Sequence, residues 1–318
     1  MTINRRIFYA CQAVGIGDKD GANFTVAHGV QSVGINTQFN LEQIFEVGMI
    51  SIYENVENVP DVEVTLEKVL DGRPLLYALA TASAAGTTLS AKSVAQCSVA
   101  LAIFDDTSVA ATGTAKAGCV MKSGVVSQIT YKIAVEGNAT ESITIVGNHK
   151  IWTNALSPSN GEWYIDNLPA TNVPDDEPDL TVQRRQHVNI GASKIPNCIP
   201  AISSFQSMSV SANITREKIL ELGSKVPYFR YAKFPVEVTA EFEIIAKKGD
   251  QIGVVEDANN LTDEEIKLVF LNGTIIDLGK KNKLQSANYQ GGGTDGGNAT
   301  ITYSFKTFND FTVTDPAT

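Results

Sequence analysis

The chain has 318 residues, 43% hydrophobic and 19% charged, with a formal net charge of −10. That length suits two cores of roughly 150 residues each, and the composition excludes a disordered or fibrous polymer. The excess of carboxylates excludes binding nucleic acid by neutralising its phosphates. No run approaches the ~20 apolar residues of a membrane span.

The opening NRRIFYACQAVGIG sets two arginines before an apolar run. Gln12 interrupts that run and no clear cleavage site follows, so a first strand is expected rather than a signal peptide, in a soluble chain made in a cytoplasm. Cys11, Cys97, Cys119 and Cys198 stand far apart without a CxxC pair, the pattern of reduced structural thiols rather than a disulfide frame. Asp18-Lys19-Asp20-Gly21 hints at a calcium loop, but its glycine comes two positions early and Ala22 stands at a ligand position, so a turn is expected.

From there a two-residue period dominates. Strands are expected near Phe24–Ile35, Val94–Phe104, Gly118–Met121, Val126–Val135 and Ser142–Val146. Val62, Val64 and Leu66 alternate with Glu63, Thr65 and Glu67. Two helices interrupt the pattern. In EQIFEVG, Glu42 to Gly48, the residues Ile44, Phe45 and Val47 form one apolar side, with Asn40 as N-cap and Gly48 as the residue after the end. Arg73 to Ala80 forms the other, with Pro74 in its first turn.

Residues 156–200 hold six of the eleven prolines and the acidic knot Asp175-Asp176-Glu177-Pro178-Asp179. They read as an extended connection between a first domain, 1–155, and a second, 201–318, which strands from the first half are candidates to complete. Trp152, Trp163 and Tyr164 are odd choices for a free linker and suit a segment draped over a neighbouring subunit. Beyond it, strands are expected at Gln206–Ile214, Ile266–Phe270, Ala299–Phe305 and Phe311–Val313. Val236, Val238, Ala240, Phe242 and Ile244 alternate with Glu237, Thr239, Glu241 and Glu243.

The second half repeats the first. With no gap, Gln31 to Pro60 aligns on Gln206 to Pro235, giving eight identities in thirty: Gln31-Ser32, Glu42, Ile44, Glu46, Gly48, Tyr53 and Pro60. EQIFEVG returns as EKILELG, placing Glu42, Ile44 and Gly48 on Glu217, Ile219 and Gly223, and Pro60 on Pro235. Thr215 repeats the cap, and Ile219, Leu220 and Leu222 repeat the apolar side. One residue is then dropped, so that Val62-Glu63-Val64-Thr65 falls on Val236-Glu237-Val238-Thr239. Fainter echoes set Ile129-Thr130-Tyr131 against Ile301-Thr302-Tyr303, and the run around Phe104 against that around Phe270. A tandem duplication of one mainly β plan is expected, each copy of packed antiparallel sheets with a short helix.

Chemistry finds no foothold. His28, His149 and His187 stand alone, and no GxSxG, P-loop or HExxH motif occurs. Tyr289 to Gly297 is glycine-rich but lacks the lysine and helix of a phosphate cradle, so a loop between strands is expected. Asp105-Asp106 precedes a Thr-Ser pair, as at a hairpin end. No catalytic residue, metal or cofactor is assigned.

The stretch EQIFEVGMISIYENVENVPDVEVTLEKVL with the following DGRPLLY resembles the tail tube (major tail) proteins of tailed bacteriophages. Further likeness runs through VEGNATESITIVGNHKIW, through Ile219 to Ile244, and from DLGKKNKLQSANY to NDFTVT. The resemblance implies two packed antiparallel sheets with a flanking helix, and rings whose inner strands join into a barrel. It implies stacking of those rings around a tape-measure protein, contacts with sheath, baseplate and terminator proteins, and a lumen through which DNA passes without specific binding. The place of such a protein is the virion. Simple family members carry one tube domain per chain and form hexamers, so a duplicated chain implies either a hexamer or a trimer with pseudo-sixfold symmetry. Glu63, Glu67, Glu237, Glu241 and Glu243 are the candidates to face the lumen, against the plainer reading of a solvated outer face. The alternatives are a baseplate or tail-terminator ring protein of the same fold, and a carbohydrate-active or carbohydrate-binding β-sandwich.

Overall fold

Alternating residues with one apolar and one polar face cannot bury themselves as single strands, and this chain satisfies them by antiparallel pairing throughout. The computed structural model describes residues 7, 9–21, 23–104, 115, 117–153, 181–191, 204–247, 249–250, 252, 263–293 and 297–315. The protein is mainly β, with antiparallel sheets and two short helices.

The first half contains β1 (Gln12–Asp18), β2 (Thr25–Val26), β3 (Val30–Gln38), β4 (Leu41–Phe45), β5 (Ile52–Glu57) and β6 (Asp61–Val69). Helices α1 (Leu76–Ala80) and α2 (Leu89–Lys92) follow, then β7 (Cys97–Ile103), β8 (Ala117–Ala134), β9 (Thr140–Gly147) and β10 (Lys150–Thr153). The second half contains β11 (Val188–Gly191), β12 (Phe205–Asn213), β13 (Arg216–Ile219), β14 (Phe229–Ala232) and β15 (Glu237–Ile245). It ends with β16 (Lys267–Phe270), β17 (Ile275–Asp277), β18 (Lys283–Gln290), β19 (Thr300–Phe308) and β20 (Thr312–Thr314).

Eight strands pair in the order β3-β6-β9-β8-β12-β15-β19-β18, four from each half. The 18-residue β8 changes partners midway. Up to Gly124 it pairs with β7, which leads on to β1 and β2, and with β10; from Val125 it pairs with β9 and β12. The break falls where Ser123 adopts φ 52° and Gly124 meets neighbours that a side chain would strike, Ile145 Cγ2 lying 2.7 Å from where its Cβ would be. A four-stranded sheet, β11-β16-β17-β20, places Leu268, Phe270, Ile276 and Val313 in the same core as Val64, Ile143, Phe242 and Phe305. The halves therefore meet edge to edge and share one apolar interior. Of the 156–200 stretch, the described part is 181–191; it carries β11, and Gln183 bonds by its backbone to both Leu70 and Ala139. Trp163, Tyr164 and the six prolines lie outside the described residues.

Helix α1 forms as expected after Pro74, and Leu76, Tyr77 and Ala80 are buried. Its first backbone amides, Leu76 and Tyr77, donate to the fully buried carboxylate of Glu141 at 2.7 and 3.0 Å, and the Tyr131 hydroxyl donates to it at 2.8 Å. Lys68, also fully buried, reaches Asp71 at 3.0 Å and the Pro74 carbonyl at 3.0 Å. Burial raises the Glu141 carboxyl, against the lowering effect of those donors.

The expected helix at Glu42–Gly48 is a β-hairpin instead, β4–β5, and Glu217–Gly223 is its counterpart, β13–β14. A seven-residue helix is marginal on its own, whereas a partner strand lies only a turn away. Glu42 opposes Val56 and Glu217 opposes Tyr231. Gly48 and Gly223 still need positive φ, 95° and 87°, but as the third residues of tight turns closed by Met49 N–H to Glu46 and Ser224 N–H to Glu221. No α-helix lies in the second half among the described residues.

The register also corrects the alignment after Pro60 and Pro235. Gln38 opposes Asp61 and Asn213 opposes Glu237, so the second half has Val236 as an extra residue rather than one fewer, and Val62 corresponds to Val238. Likewise β9 corresponds to β19 and β8 to β18, which puts Ile129-Thr130-Tyr131 on Ala287-Asn288-Tyr289 rather than on Ile301-Thr302-Tyr303. On this register the two halves share the order of four strands and two bulges. Gln31 and Gln206 are each skipped in pairing, as are Ser127 and Gln285. Ser32 lies 3.5 Å from Glu67, and Ser207 donates to Glu243 at 2.9 Å.

Candidate functional surface: one polar sheet face, two hairpins and two open edges

Strand alternation puts Glu63 and Glu67 on one face of β6, and Glu237, Glu241 and Glu243 on one face of β15. Pairing across the sheet shows that these are the same face. Glu67 opposes Ser142, which opposes Thr130, then Ser211, then Thr239, the neighbour of Glu237 and Glu241 on that side. The five carboxylates named from sequence therefore lie on a single sheet face.

That face is not uniformly acidic. Lys132 stands in the row of Glu241 by way of Ser209, and Lys306 pairs with Glu237 at 2.8 Å. These cations lie on strands distant in sequence from the glutamates, so alternation within β6 and β15 gave no sign of them. Over the first half the face forms a groove of about 870 Å³, lined by Glu63, Glu67, Lys132, Arg216, Lys218 and Arg230 among others.

The three last-named residues belong to the base of β13–β14 and fasten it to the first half. Lys218 reaches Asp61 at 2.6 Å, and Arg230 bonds Asp61 and Asn148. Arg216 donates to the carbonyls of Val126 at 2.9 Å and Ser93 at 2.6 Å. Burial lowers the Arg216 guanidinium to about 10. Burial would raise the Asp61 carboxyl, but the bonds from Lys218, Arg230 and Asn40 outweigh it and hold that group at about 2. Sequence gave no pointer to this cluster, in which Asp61 lies more than 150 positions from Lys218 and Arg230.

Beyond their bases both hairpins carry uncovered apolar residues: Ile44, Phe45, Val47 and Ile50 on the first, Leu220, Leu222, Val226 and Tyr228 on the second. Val47 and Leu222 are fully exposed, and they precede the two turn glycines. Contiguous exposed apolar residues at matching places make the two hairpins candidates for an interaction surface. Pro60 and Pro235 lie in the short links between the return strands and β6 or β15.

The ends of the eight-strand run are open. Among the described residues β3 pairs only with β6, and β18 only with β19.

The remaining sequence candidates are scattered. His28 is half-buried and its imidazole is pushed down by burial and by Arg73 and Lys68. His187 Nδ1 accepts from the Arg184 amide, and His149 stands apart in the turn between β9 and β10. Cys11, Cys97 and Cys119 are buried, and Cys198 lies outside the described residues. Asp18 to Gly21 forms a turn closed by the Gly21 amide and the Asp18 carbonyl at 2.9 Å. The glycine run joins β18 to β19, with residues 294–296 outside the described set, as are Asp105 and Asp106. Among the described residues no group of three or more His, Cys, Asp or Glu is placed to hold a metal, and no helix is long and apolar enough to cross a membrane.

No protein-family model and no curated protein matches the chain.

Proposed function

We propose that the chain is a structural protein of a phage virion that closes into rings and stacks them into a tail tube. The observation that carries this reading is the duplicated four-strand unit, joined edge to edge at β8·β12 and left with one open edge at each end. A sheet with two open edges invites further strand pairing. An edge that differs from its opposite makes head-to-tail contacts, which close into a ring if the rotation per copy divides a full turn.

Three chains would supply about 24 strands. At ~4.8 Å between strands the barrel's circumference is ~115 Å before tilt, a diameter of roughly 37 Å or more. The polar face then lines the channel, because the apolar face is already buried in the shared core. Its interspersed Glu and Lys residues offer no dense cationic track for phosphates, which suits transit of DNA without retention. The hairpin tips, with Val47 and Leu222 at their turns, supply the apolar contacts for stacking one ring on the next and for meeting the tape-measure, baseplate or terminator proteins.

The test is the purified chain over a wide concentration range, by sedimentation velocity and negative-stain electron microscopy. Stacked rings or rods are expected. Rings that stop at one layer would fit a terminator or baseplate component instead, and a monomer at all concentrations would overturn the reading.

A further inference from the structure

We infer that the contact between neighbouring chains repeats the chain's own β8·β12 junction, with β18 of one copy pairing antiparallel with β3 of the next. The inference rests on the self-assembly part of the proposed function, and adds to it a register, a set of buried residues and a placement for the first hairpin.

The internal junction is a template because both of its strands have counterparts at the open edges. By the shared bulges, β8 residues 128–132 correspond to β18 residues 286–290, and β12 residues 207–213 correspond to β3 residues 32–38. Within the chain Thr130 opposes Ser211, Tyr131 opposes Val210 and Gln128 opposes Asn213. Transferring that register sets Asn288 opposite Asn36, Tyr289 opposite Ile35, and Ser286 opposite Gln38. Polar residues meet on the groove face and apolar residues on the core face, so no side chain lands on the wrong side of the sheet.

Exposure supports the transfer. Tyr131 is 1% exposed at the internal junction, whereas its counterpart Tyr289 is 50% exposed. Ile214 is 1% exposed and its amide bonds the Ser127 carbonyl, whereas its counterpart Phe39 is 68% exposed. Met208, Val210 and Ala212 are buried, whereas Val33, Ile35 and Thr37 are only half-buried. The open edges carry large apolar groups at the positions that a β8·β12-type contact covers. A second copy of this chain covers them all at once.

The hairpins extend the same logic. Inside the chain β13–β14 crosses the junction and fastens to Asp61, Asn148 and the Val126 carbonyl of the preceding unit. Between chains β4–β5 takes that place, over the corresponding Glu237, Phe308 and Leu284 of the neighbouring copy. The three anchoring cations Arg216, Lys218 and Arg230 become Leu41, Gln43 and Asn55. The contact between copies thus lacks the three cations that make the internal one ionic and is more apolar, with Leu41 and Phe308 each about half exposed and ready to meet.

Disulfide trapping tests the register, since residues directly opposed across an antiparallel pair lie ~4.5–5.5 Å apart at Cα, within reach of the bond. Asn36→Cys combined with Asn288→Cys is oxidised in the assembled protein and run on non-reducing gels beside each single variant. The expected result is a ladder of cross-linked chains in the double variant, at least tenfold above Asn36→Cys with Ser286→Cys, which is two residues out of register. Equal trapping out of register, or trapping by either single variant alone, would overturn the inference. Rings seen by electron microscopy without trapping would overturn this junction while leaving the ring reading intact. Trapped rings that never stack would uphold the junction and count against the tube. Should the cysteine variants not fold, Phe39→Asp serves instead: unchanged melting of the monomer with lost assembly is expected, and unchanged assembly would overturn the inference.

Discussion

Asp61→Asn tests the ionic seat of the β13–β14 hairpin. In the folded chain Asp61 is held at about 2 from an ordinary value of 3.8, its burial outweighed by bonds from Lys218, Arg230 and Asn40. A difference of nearly two pH units corresponds to about 2 kcal/mol. Because the folded value is the lower one, this stability is present above pH ~4 and is lost as the pH falls toward 2. The global fold does not hang on it, since the hairpin's own strands pair independently of Asp61. What should change is the docking of the hairpin, so the assay is hydrogen exchange of the amides in 216–232, corrected for intrinsic rates. Between pH 5 and 2 the protection of this hairpin should fall roughly 30-fold, the factor that ~2 kcal/mol supplies. Asp61→Asn should show the low-protection value already at pH 6. The amides of β15 and β19, whose pairing does not involve Asp61, are the internal control. Full protection of 216–232 in Asp61→Asn at pH 6 would refute the reasoning.

Gly48→Val and Gly223→Val should each loosen their own hairpin by more than ~1 kcal/mol, because valine resists φ of 95° or 87°; exchange of the flanking amides checks this, and since a Cβ meets nothing within 4 Å at either place, Asn should be tolerated better than Val. Glu141→Ile should destabilise the fold by roughly 3 kcal/mol, by stripping the α1 amides and Tyr131 of their acceptor and leaving the buried Lys68 with Asp71 as its one ion-pair partner among the described residues. Adding Lys68→Ile should restore part of that loss in thermal melts, since Ile244 and Ile301 fill the corresponding positions in the other half; strictly additive losses would contradict it. Burial pushes the Cys97 thiol up to about 12, so native protein at pH 8 should leave it unmodified by iodoacetamide, and labelling should begin only on unfolding.

Much of the fold was legible because strand alternation is a local signal. The expected strands at Val94–Phe104, Ser142–Val146 and Gln206–Ile214 lie at β7, β9 and β12. The hairpins were misread because Ile44, Phe45 and Val47 fit a helical face equally well, and only the partner strand Ile52–Glu57 decides between them. The short β10, β11 and β17 and the polar β18 carry too little periodicity to stand out, yet β18 forms one of the two end strands of the eight-strand run. The polar face was half legible. Its five glutamates follow from alternation, while the opposing Lys132, Lys306, Arg216, Lys218 and Arg230 come from elements that meet only in three dimensions. The offset between copies was misjudged for the same reason, since the extra Val236 is invisible until the pairing of Gln38 with Asp61 and Asn213 with Glu237 fixes it.

The most direct measurement is a cryo-electron microscopy map of the assembled protein, resolved well enough to count chains and strands around one ring. Three chains in a ring are expected, with a continuous sheet of about 24 strands in which β18 meets β3 of the next copy as β8 meets β12, and with the polar face turned inward. A ring joined through any other edge, or one whose polar face points to the outside, would contradict it.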